Sequence, residues 1–334
     1  MGADGRIQDP EILNHLNIVS IDQLTILGWT TTVLSVLLTM GRLIIHWRKV
    51  HSLTLDDLLN TMSAILLIPL NITCLIYLPV EVQAQSYALG LTDKMPTFEQ
   101  LNYSNHVELA MLFLFWFVIY LVKASFLALF WRLFNISSRF RMWWCGITIF
   151  TALSFCVTIL MTLWRCGNPS DILTFGACET MSIGTARAIL IIWSVLNSIG
   201  GIVLMSLPVY MVNTRMLALE TPQRVGITLI FGLVVVHIIF DILRTVYALS
   251  PDLGVRTNLL AVWLILEPNV AVIVCALPHY KGMLSCGNCR KARGSSSFSF
   301  TKSRSSARPQ TIVPMDLQDV SGYCLESRST VEHV

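Results

Sequence analysis

Charge is scarce in this sequence. Of its 334 residues only 13% are Asp, Glu, Lys or Arg, where soluble domains carry about 25%. The net charge of +3 marks no nucleic-acid footprint, and nucleic acid is not an expected partner. No HExxH or GxSxG is present, and no nucleophile stands beside an obvious base, so the chain does not read as an enzyme. No basic segment leads into a short apolar one near the N-terminus, which argues against a cleaved signal peptide. No internal repeat of the kind found in inverted-repeat transporters is visible. Cysteine is absent before Cys74. Nothing calls for a cofactor, and the Cys286/Cys289 pair has no two further ligands close by to make a zinc site.

Long apolar runs dominate what remains. From Leu109 to Trp131 a single charge, Lys123, interrupts a stretch with no Gly or Pro, and roughly 20 apolar residues suffice to cross a bilayer as a helix. Six more runs resemble it. The expected fold is therefore an all-α membrane protein, a bundle of seven transmembrane helices at about 24–47, 58–78, 107–131, 143–164, 188–211, 225–248 and 259–277. Residues 1–21 would precede the bundle (22–284), residues 79–106 would form an acidic loop, and residues 285–334, rich in Ser, Gly and basic residues, would be a disordered tail. Cationic residues set the orientation. Arg42, Arg48, Lys49, Arg132, Arg139, Arg141, Arg215 and Arg224 fall on one side, against Arg6, Lys94, Arg165, Arg187 and Arg256 on the other. This bias puts the N-terminus outside and the C-terminus in the cytoplasm, as expected of a multi-pass protein of the plasma membrane.

Cys166 and Cys178 flank the loop GNPSDILTFGA on the outer side, where a disulfide persists. A bridge there would contribute on the order of 3 kcal/mol; two free thiols are the alternative. Cys74, Cys145, Cys156 and Cys275 lie inside apolar runs and read as core residues. Asn102-Tyr-Ser104 is a glycosylation sequon on the outer side, whereas Asn71-Ile-Thr73 is intramembrane. Cys286 and Cys289, beside Arg290, Lys291 and Arg293, are candidates for palmitoylation at the inner leaflet, with unmodified thiols the rival reading.

Ionisable groups in hydrocarbon cost about 3 kcal/mol each on insertion scales, so each needs a partner or a wet cavity. Counting about 1.5 Å per residue puts His237 and Glu267 at one depth, with Asp241 a turn farther out and Arg244 on the same helical face as Asp241. His237, Asp241, Arg244 and Glu267 are either the wall of an outward-facing ligand cavity or a lock between the sixth and seventh helices. Lys123 is expected in a separate inner layer, paired with Asp57 at the start of the second helix, with Glu267 as the competing partner. That depth, and the absence of a lysine from the seventh run, argue against a retinal Schiff base.

The ordered set of motifs resembles a known family. Leu53-Thr-Leu-Asp-Asp57, Lys123-Ala-Ser, Phe130-Trp-Arg132, the Cys166/Cys178 loop, Leu207-Pro208 and Trp263-Leu-Ile-Leu-Glu267 through Leu277-Pro278 are similar to stretches of the fungal seven-helix "rhodopsin-domain" proteins. That family includes receptor-like proteins implicated in sensing host surfaces. The resemblance implies a receptor-like architecture over about residues 24–284. The chain departs from the pattern in two places. Asn197-Ser-Ile-Gly-Gly201 occupies the part of the fifth helix where an Asp is common, and the eight-cysteine N-terminal module of some members is missing. The acidic-Arg-aromatic triplet and the Asn-Pro-x-x-Tyr motif of animal receptors are missing too. The expected function is that of an orphan sensor. It would sit in the lipid bilayer, take an unidentified extracellular or surface-derived ligand, and have a heterotrimeric G protein as its candidate cytoplasmic partner. A small-solute or proton-linked transporter is the alternative.

Overall fold

The computed structural model describes residues 21–51, 53–88, 92–134, 138–165, 183–213, 232, 235–236, 238–246, 249 and 257–293. Helices are α1 (Ile21–Val50), α2 (Leu55–Ala88), α3 (Phe98–Phe134), α4 (Ser138–Leu163), α5 (Ile183–Asn213), α6, described continuously over 238–246, and α7 (Thr257–Arg293). No strand occurs among the described residues. Among the described residues, six helices are long and apolar enough to cross a membrane: α1 to α5 and α7. Met1–Asn288 is one compact unit, which contains all the contacts described below, and Cys289–Val334 is another.

Local chemistry sets the helix ends. Thr97 and Gln100 cap α3 reciprocally: the Gln100 N–H donates to Thr97 Oγ1 (3.3 Å) and the Thr97 N–H to Gln100 Oε1 (2.9 Å). This box satisfies donors that the first turn would otherwise leave open, so α3 begins at Phe98. At the other end of α2, the Thr54 hydroxyl donates to Asp57 Oδ2 (2.8 Å), and Asp56 and Asp57 place negative charge at the positive end of the helix. His51, at φ 54°, follows α1, and its N–H donates to the Trp47 carbonyl (3.1 Å), an ending of the left-handed type.

The acidic loop expected at 79–106 is largely helical, because α2 continues to Ala88 and α3 starts at Phe98. Hydrophobicity marks where a helix leaves lipid, whereas caps and hydrogen bonds decide where it stops. For the same reason α7 runs on past 277 to Arg293.

α3 packs against α2, α4 and α5, and α1 packs on α2. Phe115, Trp116, Val118, Ile119, Val122, Phe126 and Phe130 of α3 are buried among them. The polarity of this bundle is the inverse of a soluble one. Thr, Ser, Asn and charged side chains are buried, while Leu34, Leu37, Ile65, Leu153 and Ile202 face outward. In water such a surface would aggregate; in a bilayer it meets its own kind. Interior hydroxyls find backbone carbonyls one turn back, as Thr151 does with Ile147 and Thr158 with Ser154 (both 2.8 Å). Cys74 and Cys275 are core residues as expected, but Cys145 and Cys156 are exposed on α4. An apolar run does not say which of its faces meets lipid.

Candidate functional site

Four ionisable side chains from α3, α6 and α7 meet mid-bundle, joined through an amide of α5. Lys123 donates to Asn197 Oδ1 (2.7 Å) and to the Asn197 carbonyl (3.1 Å). Asn197 Nδ2 donates in turn to Glu267 Oε1 (3.0 Å). Arg244 sits 3.3 Å from Glu267 Oε2 and 2.9 Å from Asp241 Oδ1. Asp241 Oδ2 accepts from the hydroxyls of Ser198 (2.5 Å) and Ser194 (3.4 Å). Two basic groups face two acidic ones, so the group can balance its own charge. Glu267, Asp241 and Asn197 are essentially without solvent contact, and Lys123 nearly so. Gly200 allows Lys123 to come this close to α5, since a Cβ there would stand 3.0 Å from Nζ.

Aromatic rings enclose the quartet. The Arg244 guanidinium lies 4.8 Å from the Phe115 ring centre and 5.5 Å from that of Trp116, which tilts against Trp193. Lys123 lies 4.9 Å from the Tyr120 ring, whose hydroxyl bonds Ser154 and Thr158 of α4. Cation–π contacts gain strength away from water, which suits this position. The indole N–H groups of Trp116 and Trp193 have no hydrogen-bond acceptor among the described groups. A cavity of about 30 Å³ opens beside Lys123, between Phe126, Gly201 and Val274.

A second charged cluster lies where α1 turns into α2. Arg42, 1% exposed, donates to Asp57 Oδ1 (2.9 Å), Asp56 Oδ2 (2.7 Å) and the Cys275 carbonyl of α7 (2.7 Å). His46 Nδ1 is 2.6 Å from Asp57 Oδ2, and its Nε2 accepts from Arg132 at the end of α3 (3.0 Å). Ser125 of α3 donates to the Asp56 carbonyl (2.8 Å). Tyr280 of α7 donates to the Leu38 carbonyl (2.6 Å) and packs where only Gly41 leaves room. Thr32, Ser35, Thr39, Arg42 and His46 are all buried on α1, at alternating spacings of three and four that make one helical face.

These contacts correct the expected Lys123–Asp57 pair. Asp57 is held by Arg42, His46 and Thr54, and Lys123 turns to α5 and joins the quartet instead of an inner layer of its own. Arg42 is nearer and brings two donors to the carboxylates, whereas Lys123 meets a rigid amide in its own layer. Arg42 reads in the sequence as an orientation signal, and Asn197 as a missing carboxylate; both are structural centres. The spacing of polar residues along α1 was the signal that could have found the first.

Of the expected pocket residues, Asp241, Arg244 and Glu267 come together, and His237 lies outside the described residues. So do Cys166, Cys178 and the 294–334 tail. Cys286 and Cys289 fall in the last turns of α7, where only the backbone is described. Asn102 is half-buried in the second turn of α3, where its carbonyl bonds His106 (2.7 Å), and Ser104 of the sequon is buried. At the Thr97 end of the bundle, Arg165 meets Glu108 at 2.6 Å. Burial works against the Arg165 charge, but Glu108, with Tyr77 and Glu81 farther off, raises its pKa above the ordinary value.

Long helices with apolar exteriors and ion-paired interiors define a multi-pass helical membrane protein. A family model described as the fungal rhodopsin domain matches residues 41–286, and the chain belongs to that family. No curated protein matches it, and no solved structure does.

Proposed function

We propose that this chain is a receptor-like protein that senses an extracellular or surface-derived ligand and signals to the cytoplasm. The observation that carries this reading is the balanced quartet of Lys123, Asp241, Arg244 and Glu267, which ties α3, α5, α6 and α7 through Asn197 under an aromatic cover. Such a lock has two discrete states, because removing one partner strands a buried charge at a cost of several kcal/mol. A polar or ionic ligand reaching Arg244 past Trp116 and Trp193 would compete for Asp241 and Glu267 and release the helices. In this reading the N-terminus is outside a plasma membrane and the seventh crossing ends in the cytoplasm. Cys166 and Cys178 form a disulfide above the ligand entrance, Asn102 carries a glycan, and Cys286 or Cys289 is palmitoylated. A heterotrimeric G protein is the partner, and no catalytic step is involved.

The test is nucleotide exchange on a co-expressed G protein, run beside ion flux in liposomes holding the purified chain. Glu267→Gln should raise ligand-free exchange and leave flux at background. Robust flux lost in Glu267→Gln would overturn the receptor reading in favour of a small-solute or proton-linked transporter. The buried polar face of α1 favours that second reading, because it lines up the hydroxyls of Thr32, Ser35 and Thr39 on one side of Arg42. Protease protection checks the orientation: residues 1–20 and 281–334 should be cut from opposite sides.

A further inference from the structure

Asn71 of α2 is 2% exposed, and neither its Oδ1 nor its Nδ2 has a hydrogen-bond partner among the described groups. A buried amide left so would cost about 1–3 kcal/mol for each stranded group. It lines a cavity of about 10 Å³ together with Cys74, Met111, Phe115, Leu264 and Asn269. That is about the least volume that holds one water.

The cavity wall offers further polar groups. Asn269, also 2% exposed, donates from Nδ2 to the Ile265 carbonyl (2.8 Å) and accepts at Oδ1 from Ser35 (3.1 Å). One amide hydrogen and one lone pair therefore remain. Pro268 has no N–H, so the Leu264 carbonyl one turn back lacks its helical donor. Pro69 interrupts α2 two residues before Asn71. Close packing of Gly28 of α1 against Asn71 leaves the amide little freedom to find a protein partner by rotating.

We infer that a water molecule is bound between Asn71 and Asn269, bridging the proline-interrupted stretches of α2 and α7. It accepts from Asn71 Nδ2 and donates to the Leu264 carbonyl or to Asn269 Oδ1, within the two to four bonds that buried waters make. Backbone groups freed by proline inside a membrane are commonly re-satisfied by ordered water. The site would let the two helices bend against each other without exposing bare polar atoms to hydrocarbon. It is independent of the proposed function.

Radiolytic hydroxyl-radical labelling of the full chain in nanodiscs tests this, because radicals generated from a bound water oxidise the side chains beside it. Met111 lines the cavity and Met205 does not, while both are 4% exposed. Met111 should be oxidised several-fold faster than Met205, with Cys74 labelled as well. Equal rates at Met111 and Met205 would overturn the site, and this comparison needs no variant. In Asn71→Leu the Met111 rate should fall to that of Met205. Undiminished Met111 labelling in a folded Asn71→Leu protein would show that Asn71 holds no water.

Discussion

The mid-bundle quartet and the cluster at the α1–α2 junction bury similar chemistry in different ways. The quartet draws on three helices, sets two basic groups against two acidic ones, and is relayed by an amide of a fourth helix under aromatic rings. The junction cluster centres on one fully buried arginine serving two adjacent carboxylates at a helix start, with His46 and the partly exposed Arg132 at its edge. Its carboxylates also gain from the α2 dipole and from a cap, so removing one contact leaves others. The quartet has no helix start or cap behind it, and apart from the Asp241–Arg244 pair its contacts join residues of different helices. The junction cluster is built to hold and the quartet to change.

Substitutions can break this contrast, and the largest effect should come from Arg42→Met. It takes the shared buried cation from both Asp56 and Asp57, leaving Asp57 only His46 and Thr54, and a loss of about 3–5 kcal/mol is expected, read as a fall in thermal stability of the purified protein. If Arg42→Met costs no more than a surface change, the junction cluster is not a structural anchor. Lys123→Met and Glu267→Gln should each cost somewhat less, about 2–4 kcal/mol, while their combination restores charge balance. In a double-mutant cycle the pair should therefore lose less than the sum of the two singles; strict additivity would deny the coupling through Asn197.

Asn197→Asp sharpens the comparison further. It gives Lys123 a carboxylate but takes the Nδ2 donor from Glu267 and adds a third anion. A net loss of about 1–3 kcal/mol is expected, and Glu267→Gln in the same chain should recover part of it. Tyr280→Phe removes one bond to the Leu38 carbonyl and should cost about 1 kcal/mol. Glu108→Gln belongs at the bottom of the series. Its partner Arg165 is 35% exposed, so at most about 1 kcal/mol is at stake, and less in high salt.

The sequence made the spans readable because lipid demands long apolar stretches, and it placed Asp241, Arg244 and Glu267 at compatible depths by simple rise per residue. It did not reveal the partners. Lys123 can reach up or down along its own helix, and only the rotation of α3 against α5 selects Asn197. Asn197 itself reads as a lost carboxylate, when its two-ended amide can link a cation to an anion as no carboxylate could. Arg42 and His46 sit one turn apart near the end of an apolar run, where a topology argument counts charges and does not ask which way they face. Helix ends were misjudged for a related reason: the box at Thr97 and Gln100 is a matter of hydrogen bonding, to which hydropathy is blind.

Cys145 and Cys156 lie on the outward face of α4, three helical turns apart, or about 16 Å along its axis. Among the described side chains, two native thiols thus stand at different heights on the outward face of α4, while Cys74 and Cys275 stay shielded in the interior. With Cys166, Cys178, Cys286, Cys289 and Cys324 replaced, a thiol-reactive spin label or fluorophore on Cys145 and Cys156 can report the depth and tilt of α4. The same placement leaves both sulfurs open to electrophiles released by oxidised acyl chains, a wear point that a soluble protein would keep folded away.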